Sequence, residues 1–441
     1  MKKTLLLLFG ISTLVSFSQE KKDTDGARLK KIDSLMNYLN ANGKFMGSLT
    51  LREKDKVVFS KAYGFSNVEA NTKATAQTKY KVGSITKMFT ACIILQLAEE
   101  KKLKLDTKLS EFFPKIKNAD KITITQMLNH SSGIYNFTED SSFVYTAPVL
   151  RRDMLDRLYK YDAAFEPGTK SGYSNSNYML LGYIIQDVTH KSYKENVTSC
   201  VIKKAGLKNT YYFGKINPKK NDAYSYTFDN GTWERVPEWH ESVAGAAGAL
   251  QSTPEDLTQF ITALFNGKII SPESLALMTM IDYGYGKGIV NFPFGERKFY
   301  GHNGGIENFT STVGYYPKDN FAVAMVTNGL DYDFNEIMLG VLSCYYKLPY
   351  RFPSFDTVNL DENILKKFEG NYKNDGLPFT INVLLVKGVL RVHADEQGTF
   401  YITPVSDNEF SHDASGVKML FRPDGFVLKQ NGTDTFFKKL P

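Results

Sequence analysis

The chain has 441 residues, 42% hydrophobic and 13% aromatic, enough to build two or three packed domains and too apolar for a disordered protein. A formal net charge of +7, spread along the chain without an arginine cluster, argues against a nucleic-acid-binding surface. Cys92, Cys200 and Cys344 are widely separated, and no Cys-x-x-Cys or His-x-x-x-His spacing suggests a metal, so no cofactor is expected.

In chain order, the start MKKTLLLLFGISTLVSFSQ places Lys2 and Lys3 before an apolar run from Leu5 to Val15, with small residues Ser16 and Ser18 before Gln19. This is the pattern of a signal peptide covering residues 1–18. The run is short for a membrane span, so export to the periplasm or medium is expected, with no stable membrane anchor. Cleavage would remove Lys2 and Lys3 and leave a mature charge of +5. A lysine-rich spacer and a helix around Ala27 to Asn40 come next, followed by two alternating runs in GSLTLREKDKVVFSKAYGFSN, which read as a β-hairpin turning at Glu53 to Lys56.

From Val82 to about Phe265 the signals are mostly helical, including PEDLTQFITALFNG, where Thr253 can cap a helix carrying Pro254 in its first turn. Strands return at FYGHNGG, STVGYYP and FAVAMVTNG, and a helix follows from about Phe334 to Tyr346. The two halves of the sheet thus come from opposite ends of one domain, which would bring positions near 84, 173 and 302 within reach of one another. KLPYRFPSF reads as a linker over residues 347–359. Beyond it, short strand-like runs separated by turns fit a small antiparallel sandwich or barrel over residues 360–441.

Ser-x-x-Lys occurs at Ser18/Lys21, Ser84/Lys87 and Ser415/Lys418, and only Ser84 opens an apolar-periodic helix, running through Met88, Phe89, Cys92, Ile93, Leu95 and Leu97. At a helix N-terminus, unpaired N–H groups and the dipole favour negative charge developing near the serine oxygen. Lys87, three residues on, lies on the same face, and burial would lower its pKa toward that of a usable base. An N-cap serine with a solvated lysine is the plain alternative.

Two further loops supply complementary groups. Tyr173 and Asn175 precede an amphipathic helix. The phenol suits a proton relay if an ammonium stabilises its phenolate, and the carboxamide suits either a substrate amide or orientation of the lysine. His302-Asn303-Gly304-Gly305 stands at a strand end, where glycines let substrate approach the backbone. The N–H groups of Ser84 and Gly305 would form an oxyanion hole, with His302 facing substrate or leaving group. A helix-capping loop and a surface bulge are the plain readings of these two segments. His130, in LNHSSGI, is read as structural, bonding backbone near the site.

SITK, YSN and HNG, in this order, resemble the serine β-lactamase and penicillin-binding family, closest to the class C β-lactamases and their esterase and D-amino-acid peptidase relatives, which use Tyr-x-Asn as second element. LNHSSGI, PGTKSGYSNSNY and STPEDL are also similar to that family, and the likeness covers residues 27–346. The resemblance implies an α+β fold with an antiparallel sheet flanked by helices, and the tail resembles a lipocalin-like β domain. It also implies a serine hydrolase working through an acyl-enzyme on ester or amide bonds, its substrate a small molecule or peptide, with cell-wall-derived material and β-lactams among the candidates. Ser84 would be the nucleophile, with Lys87 and Tyr173 sharing proton transfers; Asn175, His302, Asn303, Gly304 and Gly305 would line the substrate. A non-hydrolytic penicillin-binding sensor of the same fold is the alternative.

Two departures stand out. His302-Asn303-Gly304 occupies the place of Lys-Thr-Gly in the β-lactamases, so the fixed cation for a substrate carboxylate is missing, and a histidine near its ordinary pKa of about 6.5 would be neutral at pH 7. Asn308 also stands where the family usually has glycine.

Overall fold

The computed structural model of the chain describes residues 13–229, 231–395, 398–430 and 432–441. The expected leader over residues 1–18 lies mostly outside them. No helix among the described residues is long and apolar enough to cross a membrane. Two compact units divide the chain, one formed by residues 45–330 and the other by the residues up to 44 together with 331–441.

The first unit is built on an antiparallel sheet. Its strands are β1 Phe45–Glu53, β2 Lys56–Tyr63, β3 Val290–Phe294, β4 Arg297–Ile306, β5 Phe309–Tyr316 and β6 Phe321–Leu330, in the order β3-β4-β5-β6-β1-β2. The first and last stretches of the unit meet at the centre, where Phe45 pairs with Leu330 and Glu53 with Phe321. That join is the one expected from the sequence. Both central strands are buried along nearly their whole length; β6 opens with a continuous apolar run over residues 321–326, whereas β1 alternates and buries Ser48, Thr50 and Arg52 along with its apolar residues.

The insert between β2 and β3 carries the helices that matter for the site: α1 Thr86–Glu99, α2 Asn175–Thr189, α3 Glu241–Gly248 and α4 Pro254–Phe265. Thr123 and Thr253 cap their helices through their side chains, Thr253 accepting from the Asp256 N–H with Pro254 in the first turn as expected. The insert also holds strand pieces the sequence did not announce, at Tyr211–Tyr212, Tyr226–Asp229, Thr232–Arg235 and Leu250–Ser252. They are two to four residues long, too short to show a period. Helix α1 differs from its expected one-sided pattern: every residue from Thr86 to Leu97 is buried, so it runs through the core and carries Lys87 with it. Phe89 stacks on Phe260 of α4 with ring centroids 3.9 Å apart.

In the second unit, the helix expected over 27–40 runs from Thr13 to Ala41, and another spans Phe334–Tyr345. Eight antiparallel strands, from Gly370–Lys373 to Thr433–Lys439, close into a barrel in which Tyr372 of the first pairs with Lys439 of the last. Closure removes the exposed edges a sandwich would leave. The interior is filled by inward residues including Tyr372, Phe410, Phe421, Phe426 and Phe437. The three cysteines are free thiols, Cys92 and Cys344 buried and Cys200 half-buried.

Candidate functional site

Ser84 is placed by backbone contacts. Tyr80–Lys81 pairs with Leu250–Ser252, and the Val82 N–H continues the ladder to the Leu250 carbonyl at 3.0 Å. Gly83 then turns the chain at φ +51°, and a β-carbon there would lie 2.7 Å from the Gly305 carbonyl oxygen. A β-carbon on Gly304 would lie 2.0 Å from the Val82 carbonyl oxygen. The two glycines let the segment before Ser84 lie flush against the end of β4. Ser311 on β5 adds a bond from Oγ to the Val82 carbonyl at 3.0 Å. Ser84 itself sits in a 3₁₀ turn, Gly83–Ile85, running into α1 at Thr86. The sequence placed it at the start of an α-helix; the left-handed glycine beside it tightens that first turn instead.

Lys87 is fully buried, and its Nζ lies 3.0 Å from Ser84 Oγ, 2.8 Å from Asn175 Oδ1 and 2.8 Å from the Ala247 carbonyl oxygen on α3. All three partners are neutral, and burial holds the Lys87 amine well below the usual lysine range. As a neutral amine it has two N–H donors and one lone pair. The carbonyl oxygens of Asn175 and Ala247 can only accept, so they take the donors and leave the lone pair to Ser84. Tyr173 closes the set with its hydroxyl 2.6 Å from Ser84 Oγ. Burial raises the Tyr173 pKa, so the group is a phenol and not the ammonium-stabilised phenolate considered from the sequence. The result is a directional chain in which Tyr173 donates to Ser84 and Ser84 donates to Lys87.

Asn175 is held from behind. Its Nδ2 donates to Asn136 Oδ1 at 3.3 Å and to Thr138 Oγ1 at 3.1 Å, while its backbone N–H donates to Asn136 Oδ1 at 3.0 Å. With Oδ1 on Lys87, its amide is engaged within the protein, the geometry of a group that orients the lysine. His130 takes the structural place expected for it: Nδ1 accepts from the Ser174 N–H at 3.1 Å, and its ring lies 4.5 Å from that of Tyr173. A backbone N–H can only donate, so the proton of the neutral ring is on Nε2.

On β4, Asn303 and Gly305 face outward while His302 and Gly304 are buried. His302 Nδ1 donates to the Asn303 carbonyl oxygen at 2.5 Å. Burial, the first cause, lowers its pKa to about 4. The expected titration near pH 6.5 is thereby corrected, because sequence gives a residue's type and not its burial. The ring stands 6.5 Å from Tyr173.

Several parts of this arrangement had no legible signal. Ala247 contributes a backbone carbonyl, which any residue carries. Asn136 and Thr138 are ordinary loop residues until folding sets them behind Asn175. Lys81 and Glu307 form a wholly buried ion pair at 2.6 Å between positions 226 residues apart. No described group of histidine, cysteine and carboxylate side chains could hold a metal ion.

Known proteins share this plan. The chain is 28% identical over 313 residues, 68% of its length, to Protein flp of Staphylococcus aureus strain MRSA252. It is 28% identical over 260 residues, 58% of its length, to the teichoic acid D-alanine hydrolase of the same strain. It spans 62% of the length of each of these curated relatives. Among solved structures, a D-stereospecific amidohydrolase from a Streptomyces species superposes with a TM-score of 0.63 at 26% identity, over 72% of this chain and 98% of that one. The beta-lactamase family model matches residues 37–339, a span that holds every group bonded to Ser84 and Lys87, and the chain belongs to that family.

Proposed function

We propose that the protein is an exported serine hydrolase that forms an acyl-enzyme on Ser84, with ester and amide bonds of D-amino-acyl compounds as its substrate class. The observation that carries this reading is the buried Lys87 amine, 3.0 Å from Ser84 Oγ with both N–H groups committed to carbonyl oxygens. Ser84 attacks the acyl carbon while its proton passes to the Lys87 lone pair, and the Ser84 and Gly305 N–H groups receive the developing oxyanion. The Tyr173 hydroxyl, 2.6 Å from Ser84 Oγ, is placed to pass a proton to the leaving group and to take one from the incoming water. The substrate class is supported by the D-alanine hydrolase and D-stereospecific amidohydrolase named among the relatives. Export rests on the N-terminal sequence pattern.

The test is a panel of short acyl esters, D-alanyl amides and a chromogenic cephalosporin, run with intact-mass detection of the adduct. Turnover of a D-alanyl ester or amide, with loss of about a thousandfold or more in kcat on Ser84→Ala, is expected. An adduct on Ser84 that never clears, with no substrate in the panel hydrolysed, would identify a sensor instead.

A further inference from the structure

Glu307 occupies the turn between β4 and β5 with φ +54°, a left-handed backbone that glycine or asparagine adopts far more readily. Its side chain accounts for its presence there. It is wholly buried, and Oε1 accepts from Lys81 Nζ at 2.6 Å and from the Trp239 N–H at 2.7 Å, while Oε2 accepts from Ser225 Oγ at 3.3 Å. Lys81 is equally buried, lies 4.5 Å from the Phe213 ring centroid, and has Glu238 as a second carboxylate at 3.6 Å.

The bonds to Lys81 and to Trp239 lead toward the reacting groups. Lys81 stands three residues before Ser84, on the segment that Gly83 and Gly304 press against β4. Trp239 leads into α3, whose Ala247 carbonyl holds Lys87. The Trp239 ring also stacks on Tyr145 at 4.1 Å, Tyr145 donates to the Thr138 carbonyl at 2.9 Å, and Thr138 Oγ1 accepts from Asn175. One carboxylate thus ties the serine-bearing segment, the Gly305 strand end and both carbonyl acceptors of the lysine into one frame.

We propose that Glu307 is a positioning residue: through Lys81 it fixes Ser84 against the Gly305 N–H, and through Trp239 it fixes the acceptors that aim the Lys87 lone pair. The proposal rests on the reading of Ser84 as nucleophile. It predicts that the pair matters beyond folding stability, because small displacements of reacting groups are costly to rate; a shift of about 1 Å can cost about a hundredfold.

The test compares the full-length protein with Glu307→Gln, Glu307→Asp and the double variant Lys81→Met/Glu307→Gln. It follows labelling of Ser84 by an uncharged fluorophosphonate, kcat and KM for a short acyl ester, and thermal unfolding. Glu307→Gln is expected to slow labelling about ten- to hundredfold and to lower kcat by a similar factor with KM within about twofold. The double variant has no unpaired buried charge, so its unfolding temperature should return toward the native one while labelling stays slow. A purely structural pair would restore both together, and that result would overturn the proposal. Glu307→Asp keeps the charge but is too short to reach Lys81 and Trp239 at once, so native labelling in this variant would also overturn it, even if the glutamine variant fails to fold. Absence of labelling in the native protein, or equal labelling after Ser84→Ala, would instead remove the assignment of Ser84.

Discussion

Two buried lysines six residues apart on one segment face opposite surroundings. Lys81 meets the Glu307 carboxylate at 2.6 Å, whereas Lys87 meets a serine hydroxyl and two amide carbonyl oxygens. Removing an ammonium from water is costly unless an opposite charge compensates. At Lys81 that compensation is present, and the side chain serves as a strut. At Lys87 it is absent, so the amine is held well below its usual pKa and becomes able to accept a proton. The same residue type at the same depth is held as a cation or pushed toward the neutral amine according to whether a carboxylate is its neighbour.

The largest expected effect comes from leaving the first pair half-made. Lys81→Met strands a buried carboxylate and should cost about 3–5 kcal/mol of stability, read as a fall in unfolding temperature. The Glu307 pKa is already raised above 4.5, burial being its first cause, and it rises further without Lys81. An acid whose folded pKa is raised contributes most below its unfolded value and loses that contribution as pH rises through the folded one. The deficit of the variant should therefore be smaller at pH 4.5 than at pH 8. An equal deficit at both would mean that Glu307 is not charged in the native protein.

Giving Lys87 what Lys81 has should convert one kind of lysine into the other. Asn175→Asp places a carboxylate against Lys87 Nζ, where Oδ1 now stands at 2.8 Å, and the Thr138 hydroxyl can turn to donate to it. The lysine pKa then rises, the amine is protonated at neutral pH, and kcat/KM at pH 7.5 should fall about ten- to a hundredfold while recovering toward higher pH. A pH–rate profile for ester hydrolysis checks this. An unshifted lower limb would show that Lys87 is not the base.

A smaller effect is expected at His302. Without a fixed cation, uncharged esters should be turned over better than cephalosporins; with a His302 pKa lowered to about 4, that preference should change less than about twofold between pH 5.5 and 8 and narrow only toward pH 4. Narrowing already near pH 6 would mean that substrate opens the pocket to water. His302→Lys, tested with the same two substrates, should move selectivity toward the carboxylate-bearing one by about tenfold. Smallest of all should be the consequence of deleting residues 356–441. The barrel has its own filled core, and fluorophosphonate labelling of Ser84 is expected to stay within about twofold of native.

What could be read from the sequence followed the length scale of the signal. Ser84 with Lys87 and Tyr173 with Asn175 are short-range spacings, and the alternating run of β1 and the apolar run of β6 mark strands over a few neighbouring residues. The partners that decide chemistry are long-range. Glu307 pairs with a lysine 226 residues away, and Lys87 depends on a backbone carbonyl that has no residue type to betray it. The His302 error has the same origin, since burial belongs to the assembled fold. The short strands at Tyr211–Tyr212 and Leu250–Ser252 exist only because a neighbour is there to pair with them.

The apposition of Gly83 and Gly304 with opposing backbone bears on how this scaffold can acquire new specificities. Any side chain at either position would drive a β-carbon to within 2.7 Å of a carbonyl oxygen, so adaptive change there is closed. Asn303 faces outward, and a β-carbon on Gly305 would meet nothing within 4 Å. A library randomised at 303 and 305 should therefore return folded variants with altered substrate range, whereas one at 83 and 304 should return little but the parental glycines. Along the end of β4, room for a new outward side chain thus alternates with none.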